Sequence, residues 1–253
     1  MSGLAVELRA VGLAYGRRQA LAEIDLAIGA GERVCLIGPN GAGKSSLLRC
    51  ITGLAHGRTG TVLLDGVPLE ELSRPRLAQS VAVVPGSISL PFSMRVEEVV
   101  ALGRTPYEHP LLGARPADHA AVEAAMSRVG ITALRERDAR ELSLGERQLV
   151  VLAMALSQAG RLLILDEPTV HLDLRHQVEV MQLLADLNER DGLTIVAVLH
   201  DLGLAAHFFP RLLLLDGGRL VADGPPSEVL TPERIRDVYR VDPRFVPAVA
   251  ART

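Results

Sequence analysis

"GPNGAGKS", residues 38–45, has the G-x-x-x-x-G-K-[ST] spacing of a phosphate-binding loop. The apolar run "RVCLIG" at 33–38 leads into it as a buried strand, and "KSSLLRCITGL" continues from Lys44 as a helix. Glycines allow successive backbone N–H groups to face a phosphate, and the helix presents its positive end to the same anion. The strand, the loop and the helix together predict a site for a nucleoside triphosphate.

The side chains of this loop have separate expected roles. Lys44 is placed to reach the β- and γ-phosphates, and the Ser45 hydroxyl is placed to bind Mg²⁺. A glycine-rich turn without a ligand is the alternative, but average composition gives a chance match in roughly one chain of this length in a hundred. The predicted ATP-binding residues of the loop are Gly38, Pro39, Asn40, Gly41, Ala42, Gly43, Lys44, Ser45 and Ser46.

Two carboxylates end another apolar run, "LLILDEP" at 162–168. At the tip of a strand beside the phosphate loop, Asp166 suits a water-mediated contact to Mg²⁺, and Glu167 suits the polarisation of an attacking water. His200 ends the next apolar run, "TIVAVLHD", on the same expected sheet edge, within reach of a γ-phosphate. The alternatives are two acids that cap a strand and a histidine with a structural hydrogen bond. The loop upstream favours the functional role of the acids.

Alternating buried strands and helices predict an α/β fold with a mostly parallel sheet, the core of a P-loop NTPase. Residues 4–30 alternate apolar and polar side chains, which predicts an antiparallel β subdomain beside that sheet. Residues 86–160 are helix-rich, which predicts an inserted α-helical subdomain within one domain of residues 1–253. Further predicted elements are a strand and turn at 59–69, strands at 80–85, 161–167 and 193–201, helices at 118–130 and 174–190, a hairpin at 211–224, and a capped helix start at Thr231.

Composition narrows the function classes. A formal net charge of -3 gives no reason to expect a nucleic-acid partner, which usually shows as a basic excess. Cys35 and Cys50 lie in apolar runs without metal-ligand spacing, so we expect two buried thiols in a reducing compartment. The start "MSGLAVELRA" lacks the pattern of a secretory signal, and no uncharged apolar run of about eighteen residues predicts a membrane span. We therefore expect a soluble chain that is still able to dock on a membrane protein.

"ELSLGERQ", residues 141–148, opens a helix in an unusual way. Ser143 and Glu146 have the spacing of a capping box, but Gly145 stands in the first turn, where a good helix former is favoured by about 1 kcal/mol. Chance, a tight packing contact and a cap with no other role are the alternatives that the stretch itself leaves open.

The phosphate loop, "LSLGE", "LLILDEP" and "VLHD" occur in the order found in the ATP-binding subunit of ABC transporters, and the chain resembles that family over essentially its whole length. The resemblance implies an ATPase that works as an ATP-dependent head-to-tail dimer of two copies. In such a dimer Ser143, Gly145 and Glu146 contact the nucleotide held by the second copy, and Gly145 permits close backbone approach.

Further roles come from the same resemblance. Tyr15 matches the aromatic residue that stacks on adenine, Asp173 matches the acid of the loop linking the two sites, and His200 matches the switch histidine. Glu167 and His200 are the implied catalytic residues, and Ser45 and Asp166 are the implied Mg²⁺ ligands. Tyr15 as an ordinary strand aromatic is the alternative.

Two positions depart from the family pattern. Leu144 replaces a glycine of the signature, and Gly86 replaces a glutamine that touches Mg²⁺ and relays the nucleotide state to the membrane subunit. Gln79 is no substitute, because it precedes the strand instead of following it. The change at Gly86 predicts altered Mg²⁺ coordination and coupling, with nucleotide binding retained. The Leu144 side chain either narrows the slot for the phosphate or points away from it without effect.

"VEEVVALGRTPYEHP", "VLHDLGLAAHF" and "GPPSEVLTPERIRDVY" resemble the importer branch that serves iron-siderophore, haem and cobalamin permeases. The resemblance implies integral-membrane permease subunits as partners, an indirect link to a substrate-binding protein, and a peripheral location on the cytoplasmic face of the inner membrane. The alternatives are a soluble ABC ATPase without a permease and a nucleotide-binding module with impaired hydrolysis.

Overall fold

The computed structural model describes residues 3–86, 93–107, 113, 115–170 and 172–246. The strands are β1 Val6–Tyr15, β2 Arg18–Ile28, β3 Arg33–Ile37, β4 Thr59–Leu64, β5 Val67–Pro68, β6 Val81–Val84, β7 Leu162–Asp166, β8 Thr194–Val198, β9 Arg211–Asp216 and β10 Arg219–Gly224. The helices are α1 Lys44–Ile51, α2 Arg74–Ser80, α3 Val96–Ala101, α4 Pro116–Val129, α5 Leu144–Ser157, α6 Leu174–Asp191, α7 Leu202–Phe208, α8 Pro226–Val229 and α9 Pro232–Arg234. Short 3₁₀ or π turns lie at Leu69–Glu71, Leu102–Tyr107, Thr132–Leu134, Ile235–Tyr239 and Pro243–Phe245.

The larger sheet has the strand order β10-β9-β3-β8-β7-β6, and all its pairs are parallel except β9 with β10. Strands β3, β7 and β8 in the middle of the sheet are almost entirely apolar because both faces are covered. In β3, Val34 and Leu36 pack into one hydrophobic cluster, and Cys35 and Ile37 pack into another. The carboxyl ends of β3, β7 and β8 therefore meet at one edge. This edge carries the phosphate loop, the acid pair and His200.

The smaller sheet is antiparallel, with the order β2-β1-β4-β5. Its alternating side chains, among them Leu8, Leu13 and Leu21, are buried in the same cluster as Leu47 of α1. The predicted antiparallel sheet beside the parallel core is thus confirmed.

Helices α3, α4 and α5 enclose a third cluster, which includes Val99, Met126 and Val150. Helix α5 belongs to two clusters at once, since Val151 and Leu152 pack against the parallel sheet. The predicted inserted subdomain at 86–160 falls in this region, and part of it, at 87–92, 108–112 and 114, lies outside the described residues. Its boundaries stay a prediction.

Local predictions are confirmed with small shifts in boundary. The helix expected at 118–130 is α4, and it stops at Gly130, whose φ of 77° is left-handed. Thr231 caps α9 by accepting a hydrogen bond from the Arg234 N–H at 3.3 Å. Across the described ranges, none of the helices combines the length and apolar character needed to cross a bilayer.

Candidate active site

The loop after β3 requires its glycines. Gly38, Gly41 and Gly43 have φ of 143°, 81° and 107°. A Cβ on Gly38 would lie 2.2 Å from the Leu215 carbonyl oxygen, and one on Gly43 would lie 2.6 Å from the Ala20 carbonyl oxygen. The loop is therefore held close to the backbones of β9 and β2, in a form that other residues are unable to adopt.

Lys44 is buried at the first turn of α1, with 7% of its surface exposed. Its Nζ donates hydrogen bonds to the carbonyl oxygens of Gly38 at 2.7 Å and Pro39 at 3.0 Å. Burial lowers the pKa of this ammonium group, and the carboxylates of Glu167 and Asp166 oppose that shift. A buried cation held by its own loop stabilises an anion that enters the loop.

The loop forms one wall of a cleft of ≈ 310 Å³. Tyr15, at the end of β1, keeps 46% of its surface exposed and lines this cleft, as the adenine-stacking role requires. The residues that line the cleft are Tyr15, Arg18, Ala20, Asn40, Gly41, Gly43, Lys44, Ser45, Ser46 and Glu167. The cleft thus brings together Tyr15 and six of the nine predicted residues of the phosphate loop, and Arg18 and Ala20 join them without having been predicted.

Asp166 ends β7, and its Oδ1 is buried without a hydrogen-bond partner among the described residues. Burial raises the pKa of the carboxyl group, whereas the Ser45 hydroxyl lowers it. An unpartnered carboxylate oxygen near a hydroxyl is the donor set that a hard cation such as Mg²⁺ prefers. Ser45 and Asp166 therefore fit the metal that accompanies nucleoside triphosphates, as proposed ligands.

Glu167 follows directly, in a left-handed backbone conformation with φ of 56°. Its N–H donates to the Val198 carbonyl oxygen at 3.1 Å, which fixes it to the end of β8. Its Oε1 lies 2.6 Å from Nε2 of His200. The left-handed conformation costs a residue with a side chain about 1–2 kcal/mol, and strain of this kind concentrates at functional sites.

The contact between Glu167 and His200 arises because β7 and β8 are neighbours, with Asp166 opposite Val198. The sequence predicts both residues at one sheet edge but does not predict their contact. The adjacency of the two strands was the missing signal.

Helix α5 begins as the capping box predicted. The Ser143 Oγ accepts a hydrogen bond from the Glu146 N–H at 3.2 Å, and the Glu146 Oε2 accepts one from the Ser143 N–H at 2.8 Å. The Ser143 N–H also holds the pKa of Glu146 below its usual range. Leu144 is 59% exposed beside this start. Neither Ser143, Gly145 nor Glu146 lines the cleft of its own chain.

Asp173 caps α6, accepting a hydrogen bond from the His176 N–H at 2.9 Å. That N–H, followed by the His176 side chain, lowers the pKa of the Asp173 carboxyl group. Like the start of α5, this residue lies outside the lining of the cleft, so its nucleotide contact remains a prediction.

Gly86 lies against the end of β7. A Cβ there would come within 2.9 Å of the Asp166 carbonyl oxygen, although φ of Gly86 lies outside the left-handed region. A second cavity of ≈ 350 Å³ is lined by Gly86 together with Ser45, Asp166 and Glu167. Gln79 is absent from that lining, and its amide donates to the Pro106 carbonyl oxygen at 2.8 Å. No glutamine side chain among the described residues replaces the missing one.

The family model described as "ABC transporter" matches residues 21–170. The chain is 36% identical over 236 residues to the iron(3+)-hydroxamate import ATP-binding protein FhuC of Bacillus subtilis (strain 168), covering 93% of this chain and 88% of that protein. It is 43% identical to the hemin import ATP-binding protein HmuV of Nocardia farcinica, covering 93% and 83%. It is 39% identical to the cobalamin import ATP-binding protein BtuD of Halobacterium salinarum, covering 100% and 62%.

The chain is also similar to solved structures of ABC transporters and their cassettes. An inward-facing putative metal-chelate type ABC transporter aligns with a TM-score of 0.81 and 26% identity, covering 96% of this chain and 90% of that one. A dimeric structure of a bacterial ABC transporter cassette aligns with a TM-score of 0.78 and 26% identity, covering 87% and 98%. Since the family model matches more than half of the chain and these relatives cover nearly all of it, the chain belongs to the ABC transporter family, as one of its ATP-binding, ATP-hydrolysing cassettes.

Proposed function

We propose that this cassette powers the uptake of an iron-siderophore, haem or cobalamin-type ligand through a separate permease. The observation that carries the ATPase role is the convergence of Lys44, Asp166 and Glu167 at one sheet edge, beside a cleft of ≈ 310 Å³. The import role is supported by the relatives named for iron-hydroxamate, hemin and cobalamin import.

Binding begins at the phosphate loop. Lys44 exchanges its two carbonyl partners for the β- and γ-phosphates, and the N–H groups of the loop surround the same oxygens. Ser45 and Asp166 would hold Mg²⁺, which when bound neutralises charge on the phosphates. Tyr15 stacks on the base at the mouth of the cleft.

Hydrolysis needs a water molecule positioned beside the γ-phosphate. Glu167 orients that water and accepts its proton, because its carboxylate stands at the end of β7 on the rim of the cleft. His200, whose Nε2 lies 2.6 Å from the carboxylate, holds it in place, and in this proposal it also contacts the γ-phosphate. The strained backbone of Glu167 fixes the direction of its side chain.

A second copy completes the site in this proposal. The starts of α5 and α6 do not line the cleft of their own chain, so in the dimer they can face the nucleotide of the partner. The residues concerned are Ser143, Gly145 and Glu146 at the start of α5 and Asp173 at the start of α6. The N-terminal end of α5 then adds its positive dipole to the γ-phosphate. ABC cassettes form such dimers, as the dimeric neighbour illustrates.

The relatives named for import also support the proposed partners and location of the cassette. We place the cassette as a peripheral subunit on the cytoplasmic face of the inner membrane, with integral-membrane permease subunits as direct partners and a substrate-binding protein as an indirect one. A second candidate, a nucleotide-binding module with impaired hydrolysis, is favoured by Gly86 and Leu144, which stand where the family has polar glutamine and small glycine.

Reconstitution tests the import role. The cassette would be reconstituted in liposomes with the permease and the substrate-binding protein of its transporter, and uptake of labelled ferric hydroxamate, haem and cobalamin would be measured with MgATP. We expect ATP-dependent uptake of one ligand class and its loss in Glu167→Gln. Intact ATP hydrolysis without uptake of any of the three would contradict the importer assignment, while absent hydrolysis would favour the impaired module.

A further inference from the structure

Arg18 occupies a fixed place beside the cleft. It pairs with Tyr15 across the two-residue turn between β1 and β2. The hairpin is anchored just beyond it, because the Ala22 N–H donates to the Gly218 carbonyl oxygen at 2.9 Å, and the Gly218 N–H donates to the Ala42 carbonyl oxygen at 3.0 Å. Arg18 is thus held in register with the stacking tyrosine on one side and the phosphate loop on the other.

The guanidinium group of Arg18 lies over the phosphate loop. Its Nη2 is 3.3 Å from the place that a Cβ on Gly41 would take, and the side chain lines the same cleft as Lys44 and Ser46. Within the described part of the chain, no ion pair or hydrogen bond engages this guanidinium group. Of the carboxylates near the cleft, Glu167 is already in contact with His200.

Among the residues that the structure describes, two cations therefore line the cleft, Arg18 and Lys44, and neither forms an ion pair with a described carboxylate. Like charges at one wall repel each other, and an anion between them removes that repulsion. Guanidinium groups bind phosphate oxygens through charge-assisted, often bidentate hydrogen bonds. A polyphosphate chain is the ligand that this arrangement fits.

We infer that Arg18 binds the phosphate chain of the nucleotide, a role that rests on the proposed function of the cleft. Its guanidinium group lies beside Gly41 of the loop that receives the phosphates, on the same hairpin as Tyr15, which takes the base. Arg18 is then a binding residue that recognises charge in the nucleotide, and it does not discriminate between bases.

Arg18→Gln tests this role, with Arg17→Gln as a matched control. Arg17 is the adjacent arginine, it is exposed, and it does not line the cleft. Calorimetric titrations would use MgATP, MgADP and magnesium tripolyphosphate, which carries phosphates without base or ribose. We expect Arg18→Gln to weaken all three about 10- to 100-fold, the effect of one charge-assisted hydrogen bond. Arg17→Gln should stay within about twofold of wild type, and Arg18→Lys should restore part of the loss.

The outcomes separate the two levels of the proposal. If the wild-type chain binds MgATP, and Arg18→Gln binds all three ligands as tightly as the wild type does, only the role of Arg18 is overturned. A loss for MgATP and MgADP without a loss for tripolyphosphate would also overturn it, because it would place the contact on base or ribose. Wild-type chain that fails to bind MgATP would instead refute the proposed function of the cleft.

Discussion

Replacing Glu167 by two different residues separates its chemical role from its strained backbone. Glu167→Gln removes the carboxylate and keeps a side chain on a backbone with φ of 56°. Glu167→Gly removes the carboxylate as well, and in addition it removes the Cβ that makes this backbone conformation unfavourable. Neither variant keeps the carboxylate that lies 2.6 Å from Nε2 of His200 in the wild-type chain.

The expected magnitudes follow from these geometries. Loss of a general base lowers the rate of hydrolysis about 10²- to 10⁴-fold, which corresponds to about 3–5 kcal/mol in the barrier. Removing the left-handed strain stabilises the folded chain by about 1–2 kcal/mol. The greater flexibility of glycine in the unfolded chain offsets about half of that. The net gain of about 0.5–1 kcal/mol raises the melting temperature of a chain of this size by about 1–4 °C. Glu167→Gly should therefore melt about 2 °C above Glu167→Gln.

Phosphate release and scanning calorimetry measure the two effects on the same preparations. Both variants should bind MgATP like the wild-type chain, because Lys44 and the loop are unchanged. Hydrolysis by Glu167→Gln within tenfold of wild type would refute the role of Glu167 as the base. A Glu167→Gly variant that melts at or below Glu167→Gln would refute the strain argument.

Three further predictions concern neighbouring positions. Burial raises the pKa of the Asp166 carboxyl group in the folded chain, so the ionised carboxylate lowers the free energy of unfolding above that pKa. This loss disappears as the pH falls and the group becomes protonated. Asp166→Asn should therefore raise the nucleotide-free melting temperature near neutral pH, with a gain that shrinks toward about pH 4; an equal gain at both pH values would contradict the assignment. Ser143→Arg should leave nucleotide affinity of the single chain within about twofold but abolish hydrolysis by blocking the partner's site; a large loss of affinity in a fluorescent-ATP titration would place Ser143 in its own cleft. Gly86→Ala and Gly86→Gln should both lower the melting temperature by bringing a Cβ to 2.9 Å from the Asp166 carbonyl oxygen, and only Gly86→Gln should lower the Mg²⁺ concentration needed for half-maximal hydrolysis; matching Mg²⁺ titrations for the two variants would show that the amide adds nothing.

The parallel core was predictable because its signals are local. A strand buried on both faces is apolar at every position, as Val34 to Ile37 are, and the phosphate loop follows it within the same stretch. The capping box at Ser143 and the left-handed stop at Gly130 are likewise set by a few adjacent residues.

The rest of the site depends on which strands become neighbours, and the sequence does not state that order. The contact between Glu167 and His200 needs β7 beside β8, and the close approach of Gly86 to Asp166 needs β6 beside β7. The position of Arg18 in the cleft depends on how the antiparallel hairpin packs on the phosphate loop. Such long-range placements follow from tertiary packing, which periodicity and motif spacing do not predict.

The rate of ATP hydrolysis per chain, followed as the concentration of purified protein rises, tests the central claim most directly. That claim is that the cleft at Lys44, Asp166 and Glu167 hydrolyses ATP only when a second copy completes it. We predict Mg²⁺-dependent phosphate release whose rate per chain increases with protein concentration and then levels off as the dimer forms, with no release by Lys44→Ala. Phosphate release no greater than that of Lys44→Ala, or a rate per chain that stays constant through dilution to a monomer verified by light scattering, would contradict it.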